Sequence, residues 1–258
     1  MGRPPRVGEA MSPVRRTRIV CTIGPASASP TAVRSMVQAG MDVARLNFSH
    51  GDHHTHRLAA DNVREAADTV GRPVALLGDL QGPKVRTGGL DQSFQRLVRG
   101  RRVVVVAESH AGSSDRRRVD PGAPAVTTAV TEVIEVSHQE LVEALQVGDR
   151  VLIDDGRIEL VVRGIATGRV ECSVIRGGLR GEHRGVSVPG RAIALPALTE
   201  KDIEDLKLAV ELGVDYLALS LVRNPEDVLA CKQQLALLGS NVPVIAKLEK
   251  QDAIRQLS

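Results

Sequence analysis

Polar residues that directly follow short apolar runs are the first candidates for chemistry, because parallel α/β folds gather ligands at the C-terminal ends of their strands. Four segments fit: Arg45-Leu46-Asn47-Phe48-Ser49-His50-Gly51, the stretch G-D-L-Q-G-P-K-V-R from Gly78 to Arg86, Ser220-Leu221-Val222-Arg223, and Lys247-Leu248-Glu249. Together they offer the cations Arg45, Lys84, Arg86 and Lys247, the carboxylates Asp79 and Glu249, and the neutral oxygen ligands Asn47 and Ser49. Phosphoryl transfer needs that mixture. Cations neutralise charge on the transferring group, while carboxylates hold the divalent metal that bridges phosphate oxygens. Any one segment alone is ordinary loop chemistry.

Other polar groupings read more plainly. His50, His53, His54 and His56 could ligate a metal, but a histidine-rich loop entering a helix is usually solvated. Asp154-Asp155 before Gly156 is a turn rather than a carboxylate pair. Gly177-Gly178-Leu179-Arg180-Gly181 has no helix N-terminus after it and is a weak anion loop. The basic runs Arg99-Gly100-Arg101-Arg102 and Arg116-Arg117-Arg118 sit beside turn signals and read as solvated loops.

The elements that must position the candidate residues follow from periodicity. Ile19 to Ile23, Val43 to Phe48 and Val74 to Leu77 read as strands, separated by helices after Ser29-Pro30 and over His54 to Thr69. This β-α-β-α-β order predicts a parallel sheet covered by helices on both sides. Past Gly89 the texture changes to short β-rich stretches at Arg102 to Ala107, Arg150 to Ile153, Arg157 to Val162 and Arg169 to Val174, with Asp155-Gly156 as a two-residue hairpin turn. Helical spacing returns at Thr199, an N-cap with Asp202 three residues later. A helix over Ile203 to Leu212, a strand over Tyr216 to Leu221, a helix over Pro225 to Leu237 and a strand over Val244 to Leu248 complete the pattern.

Composition sets outer bounds. With 258 residues, 42% of them hydrophobic, the chain can bury one large core or two modest ones. It has no Trp, one Tyr and two Phe, so the stacking platforms that bind single-stranded nucleic acid are missing. The net charge of +3 suits small anionic substrates without implying a nucleic-acid surface. Cys21, Cys172 and Cys231 form neither a disulfide framework nor a zinc motif, which fits a reducing, cytoplasmic setting. No apolar run reaches the ~18 residues of a membrane span, and residues 1–17 read as a disordered leader.

The succession C-T-I-G-P, A-R-L-N-F-S-H-G, G-D-L-Q-G-P-K-V-R, L-P-A-L-T-E-K-D and A-K-L-E resembles the pyruvate kinase family from Arg18 to Ala253. The resemblance implies a (β/α)8 TIM-type barrel, here incomplete at about five strands, with an inserted all-β barrel domain after the third strand that acts as a lid. The implied division is 18–87 and 188–258 for the barrel domain and 88–187 for the insertion. The implied activity is phosphoryl transfer from phosphoenolpyruvate to ADP, the last step of glycolysis, in a homo-oligomer, a tetramer for the full-length family. An alternative is a truncated, non-catalytic fragment that at most binds a nucleotide or a partner chain.

By resemblance, Arg45 binds the transferring phosphoryl group, and Lys247 stabilises it at the bridging oxygen. Glu249 is a ligand for Mg²⁺ or Mn²⁺. Asn47, Ser49, Asp79 and the carbonyl of Leu80 form a monovalent-cation site, and His50 and Arg86 lie near the nucleotide phosphates. Arg184, in Gly181-Glu182-His183-Arg184-Gly185, stands where relatives carry a lid lysine. Lys84 departs from the glutamate of K⁺-dependent relatives, and a tethered ammonium supplies the ion's unit charge, so K⁺ is not expected to be required. Leu80 for threonine is a mild change if the ligand is a carbonyl, and Lys250 replaces a common asparagine without a readable effect.

Overall fold

The computed structural model describes residues 16–90, 93–108, 132–191 and 193–257. Most of the leader at 1–17 and all of Arg116-Arg117-Arg118 lie outside these residues. The chain divides into two units, Met1–Gly82 with Ala197–Ser258, and Pro83–Pro196.

The first unit opens with β1 (Val20–Ile23), α1 (Pro30–Ala39), β2 (Val43–Asn47), α2 (His53–Val70) and β3 (Ala75–Asp79). Helix α1 starts where the Ser29 hydroxyl accepts the Ala32 N–H and Pro30 supplies a preset φ, and Gly40 at φ 109° ends it. Helix α2 starts one turn-residue earlier than its apolar spacing predicts, because Asp52 and Thr55 form a reciprocal capping box. Strand β3 runs on through Gly78 and Asp79, so these residues lie within the strand rather than after it.

The second unit contains β4 (Gln95–Leu97), β5 (Arg102–Ala107), β6 (Glu132–Val136), α3 (Gln139–Ala144), β7 (Arg150–Ile153), β8 (Ile158–Ala166), β9 (Arg169–Arg176), β10 (Gly178–Arg180) and β11 (Val186–Ser187). Six strands pair in the order β11-β7-β8-β9-β5-β6, while β4 and β10 form a separate ribbon. The segment Val85–Gly88 joins the two edges of the six-stranded sheet. Val186 N–H donates to Val85 O at 2.9 Å and Thr87 N–H to Arg184 O at 2.8 Å on one side; Gly88 N–H donates to Glu135 O at 2.8 Å and Ser137 N–H to Arg86 O at 2.9 Å on the other. The sheet is thereby wrapped around a core of Val103, Val105, Ile134, Leu141, Ile153, Leu160 and Val162. The β7–β8 hairpin pairs Ile153 with Ile158, so its loop is four residues and not two. Asp154, Asp155 and Gly156 all take positive φ, which splits the reversal over three left-handed positions.

The first unit resumes with α4 (Glu200–Glu211), β12 (Tyr216–Leu219), α5 (Pro225–Leu237), β13 (Val244–Ala246) and α6 (Gln251–Arg255). Its five strands are all parallel in the order β1-β2-β3-β12-β13. The expectation of helices on both faces fails. Ala44, Leu46, Leu76, Leu217 and Leu219 share one buried cluster with Val33 and Val37 of α1, Val63 of α2, Leu206 of α4 and Leu235 of α5. The alternate residues Arg45, Asn47 and Leu77 are only half-buried and face the other side. Helices therefore cover one face, as in a barrel wall, and the opposite face carries polar groups. The fold is α/β, an incomplete barrel of five strands.

Candidate functional site

The open face of the five-stranded sheet collects charge at its strand ends. Asp79 of β3 lies two residues beyond the partner of Arg45 of β2, since Arg45 lies opposite Leu77 and Asn47 opposite Asp79. Parallel strands with side-chain period two place all of these on one face. Arg45 Nε donates to Asp79 Oδ2 at 2.6 Å, and its Nη1 donates to Thr22 Oγ1 of β1 at 2.8 Å. Lys247, directly after β13, donates from Nζ to Asp79 Oδ1 at 3.0 Å and to Ser220 Oγ at 2.7 Å. Ser220 has a single hydroxyl proton, which it gives to the Leu80 carbonyl, so its oxygen is free to accept from Lys247.

Asp79 is 3% exposed and sits between the two cations, whose side chains are each 29% exposed. A buried carboxylate held by two partly open cations leaves positive charge facing outward from the strand ends. Among the described residues, Arg45 uses only Nε and Nη1, leaving Nη2 to receive an anion.

Glu249 completes the group. Its Oε2 accepts the Leu221 N–H at 3.0 Å, and Oε1 lies 3.7 Å from Lys247 Nζ. Leu221 holds φ 59°, a left-handed conformation rare for a branched side chain, which turns its amide toward this carboxylate. The Glu249 side chain stays 43% exposed. A hard carboxylate that is oriented at one oxygen and open to solvent fits Mg²⁺, which binds through one or two carboxylates plus waters and substrate phosphates.

Of the oxygen set, Asn47, Asp79 and Leu80 are already engaged within the protein, while Ser49 is bonded through its N–H. Asn47 Oδ1 accepts the Ser49 N–H at 3.2 Å, the Leu80 carbonyl accepts from Ser220, and Asp79 is paired as described. His50 is exposed, and its carbonyl bonds His56 Nε2 at 2.9 Å. His56 is 8% exposed and packs edge-on against Phe48 at 4.8 Å, so the reading of a solvated histidine loop fails there. Burial lowers the His56 pKa, which keeps the ring neutral. His53 bonds Asp205 at 2.9 Å.

Helix α4 braces the strand-end loops. Lys201 Nζ donates to the Phe48 carbonyl at 2.7 Å, and fully buried Asp202 accepts the Gly82 N–H at 2.9 Å. A Cβ on Gly82, at φ 70°, would meet the Ser220 carbonyl at 2.9 Å.

The remaining expected residues belong to the second unit, where they form their own group. Arg86 Nη1 donates to the His183 carbonyl at 3.0 Å, Arg184 Nη1 lies 3.6 Å from Asp154 Oδ1, and a Cβ on Gly185 would stand 3.0 Å from Lys84 Cε. Thr22 and Ser220 were not among the residues expected to act. Both lie in segments singled out by sequence, C-T-I-G-P and S-L-V-R, and their position at strand ends is the signal that marks them. Among the described residues no helix is long and apolar enough to cross a membrane.

Residues 14–258 match the family described as pyruvate kinase, barrel domain. The chain is 44% identical over 243 residues to "Pyruvate kinase" of Mycobacterium tuberculosis (strain ATCC 25618 / H37Rv) and 45% identical over 243 residues to that of Mycobacterium intracellulare, covering 94% of this chain and 48% of each relative. It is 36% identical over 247 residues to "Pyruvate kinase" of Staphylococcus aureus (strain USA300), covering 95% of this chain and 39% of that protein. The chain thus spans about half the length, or less, of these curated relatives. With a barrel-wall sheet that converges Arg45, Asp79, Lys247 and Glu249 at its strand ends, and a family match over nearly its whole length, the chain belongs to the pyruvate kinase family.

Proposed function

We propose that this chain carries phosphoryl-transfer machinery acting between phosphoenolpyruvate and ADP, in the direction that yields pyruvate and ATP. The observation that supports it most is the Arg45–Asp79–Lys247 triad beside the open carboxylate of Glu249. In the reaction the bond between phosphorus and the enol oxygen breaks, a bond to the terminal ADP oxygen forms, and the enolate takes a proton to become pyruvate. Arg45 binds the equatorial oxygens of the transferring group through Nη2. Lys247 holds its ammonium against the bridging oxygen as that oxygen gains charge. Both cations are preorganised by Asp79, so little reorganisation accompanies the charge shift. Mg²⁺ or Mn²⁺ held by Glu249 would neutralise phosphate oxygens.

His50, Arg86 and Arg184 are proposed to serve the nucleotide phosphates. Asn47, Ser49, Asp79 and Leu80 are proposed as the site of a monovalent cation in relatives, and Lys84 as its substitute here. The pairing of Asp79 with two protein cations supports activity without K⁺. Strong stimulation in a K⁺ titration of active protein would overturn that part. The full-length protein is proposed to act as a homo-oligomer in the cytoplasm.

A second reading is favoured by one feature: β1 and β13 each have an unpaired edge among the described residues. On that reading the chain binds ligand but turns nothing over until further strands pair with those edges. Pyruvate formation from phosphoenolpyruvate and ADP with Mg²⁺ decides between them, with Lys247→Met as control. Turnover abolished by the substitution supports catalysis by this chain. Ligand binding without turnover supports the second reading.

A further inference from the structure

The β4–β10 ribbon of the second unit presents an amphipathic cleft. Its register pairs Gln95 with Arg180, Arg96 with Leu179 and Leu97 with Gly178. Strand alternation sends Leu97 and Arg180 inward, each 2% exposed, and Phe94, Arg96, Val98 and Leu179 outward. Phe94, Val98 and Leu179 are 54%, 47% and 53% exposed, a high share of bare apolar surface for so short a ribbon. Gly177 permits the close approach on which the cleft depends, since a Cβ there would stand 2.3 Å from the Leu97 carbonyl oxygen. The resulting cleft of about 400 Å³ is lined by Arg96 to Arg99 and Gly177 to Leu179.

The arginines of the unit divide into those held by a carboxylate and those without one among the described residues, and the cleft's two belong to the second group together with Arg101, Arg102, Arg163 and Arg169. Arg150, Arg157, Arg176, Arg184 and Arg191 each lie within 4 Å of a carboxylate. Among the described residues, neither Arg96 nor Arg99 has such a partner, and the cleft is lined by no acidic residue. Exposed Arg101 and Arg102 follow directly in sequence and add to the local positive field. Guanidinium forks without a carboxylate partner match the paired oxygens of a phosphate, as they do those of a carboxylate, and the apolar side chains beside them suit a ligand with a non-polar body.

We propose that this cleft is a binding site for a small organic phosphate. Arg96 and Arg99 take the phosphate, and Val98 and Leu179 pack against its carbon skeleton. None of these residues belongs to the phosphoryl-transfer group, so the proposal stands whether or not the chain is catalytic.

The test is a titration of the isotopically labelled full chain with inorganic phosphate and with phenyl phosphate, against chloride at matched ionic strength. The amide signals of Gly177, Gly178 and Leu179 report the cleft. They are expected to shift with both phosphates but not with chloride, with phenyl phosphate binding several-fold more tightly. Arg96→Gln with Arg99→Gln should weaken both by about tenfold, as expected for lost charge-assisted hydrogen bonds. Both side chains are exposed, so the fold should persist, and Arg96→Lys with Arg99→Lys, which keeps the charge but not the fork, should give an intermediate loss. Lys247→Met should leave the titration unchanged, and Leu179→Ser should erase the advantage of phenyl phosphate. Equal affinity in the double glutamine variant, or equal shifts with chloride, would overturn the proposal. So would loss of binding in Lys247→Met.

Discussion

The two sheets of this chain solve the problem of strand edges in opposite ways. In the second unit Val85–Gly88 bonds to both β11 and β6, so the six-stranded sheet is sealed by its own backbone. In the first unit the five parallel strands leave β1 and β13 each with an unpaired edge among the described residues, and exposed apolar residues lie there, Val20 at 54% and Ile245 at 43%. Charge follows the same division. The sealed unit buries Arg180 to hold Gln95 and the Gly88 carbonyl, whereas the open one gathers Arg45, Lys247 and Asp79 at the strand ends. A mostly antiparallel sheet, in which only β5 and β6 pair in parallel, spreads its strand ends over two rims, while the parallel strands of the first unit bring every C-terminal end to one side, where the charged groups gather.

The strongest test of that contrast is Asp79→Ala. It leaves Arg45 and Lys247 without their buried counter-charge, and should destabilise the first unit by about 3 kcal/mol. Cys231 and Cys172 serve as separate reporters of the two units. Both are fully buried, and burial pushes their thiols up to about 11 and about 12, so each should be alkylated at pH 8 only when its own unit opens. Asp79→Ala is expected to speed labelling of Cys231 more than that of Cys172.

Leu160→Ala is the converse. Leu160 is fully buried in the second unit, and its truncation should cost about 3 kcal/mol there, exposing Cys172 in preference to Cys231 in urea. Equal acceleration of both thiols would mean that the units unfold as one, and the contrast would fail.

Gly82→Ala sharpens the picture within the open unit. It forces a Cβ against the Ser220 carbonyl at a positive φ, and should lower the stability of that unit by about 2 kcal/mol, read from its urea midpoint. Ser220→Ala removes the hydroxyl that links Lys247 to the Leu80 carbonyl and should cost about 1 kcal/mol, with weaker phosphate-ligand binding as the second readout.

Acid gives the smallest effect. Asp227 of α5 is buried, which alone would raise its pKa, but bonds from Arg223 outweigh this and hold it below the ordinary value of 3.8. The unfolded chain therefore takes up a proton at higher pH than the folded one. The stabilisation is present above the unfolded pKa and is lost as pH falls through the folded value. Asp227→Asn should flatten the acid slope of Cys231 protection below about pH 4 while leaving that of Cys172 unchanged.

Much of this was legible in particular residues. Ser29-Pro30, Gly40 and the Thr199/Asp202 box are local devices, and each caps the helix its spacing implies. The candidate groups Arg45, Asp79, Lys247 and Glu249 could be named because polar residues at apolar-run ends mark strand termini. Other features were not legible. The short strands β10 and β11 carry too few residues to show a period, and the sealing role of Val85–Gly88 depends on partners far along the chain. That helices cover one face rather than both could not be read from alternation, since the strands show the same apolar runs in either case.

The sequence by itself determined most of the longer helices and strands, their caps, and which side chains are available for phosphate chemistry, because caps, periodicity and residue type act over a few neighbours. Tertiary structure alone decided that Asp79 holds Arg45 and Lys247 together, that the Ser220 hydroxyl donates to the Leu80 carbonyl, and that Leu221 turns its amide to Glu249. These contacts join residues up to 168 positions apart. Only the order and register of strands in the sheet, set by burial of one shared apolar face, brings such residues within hydrogen-bond reach.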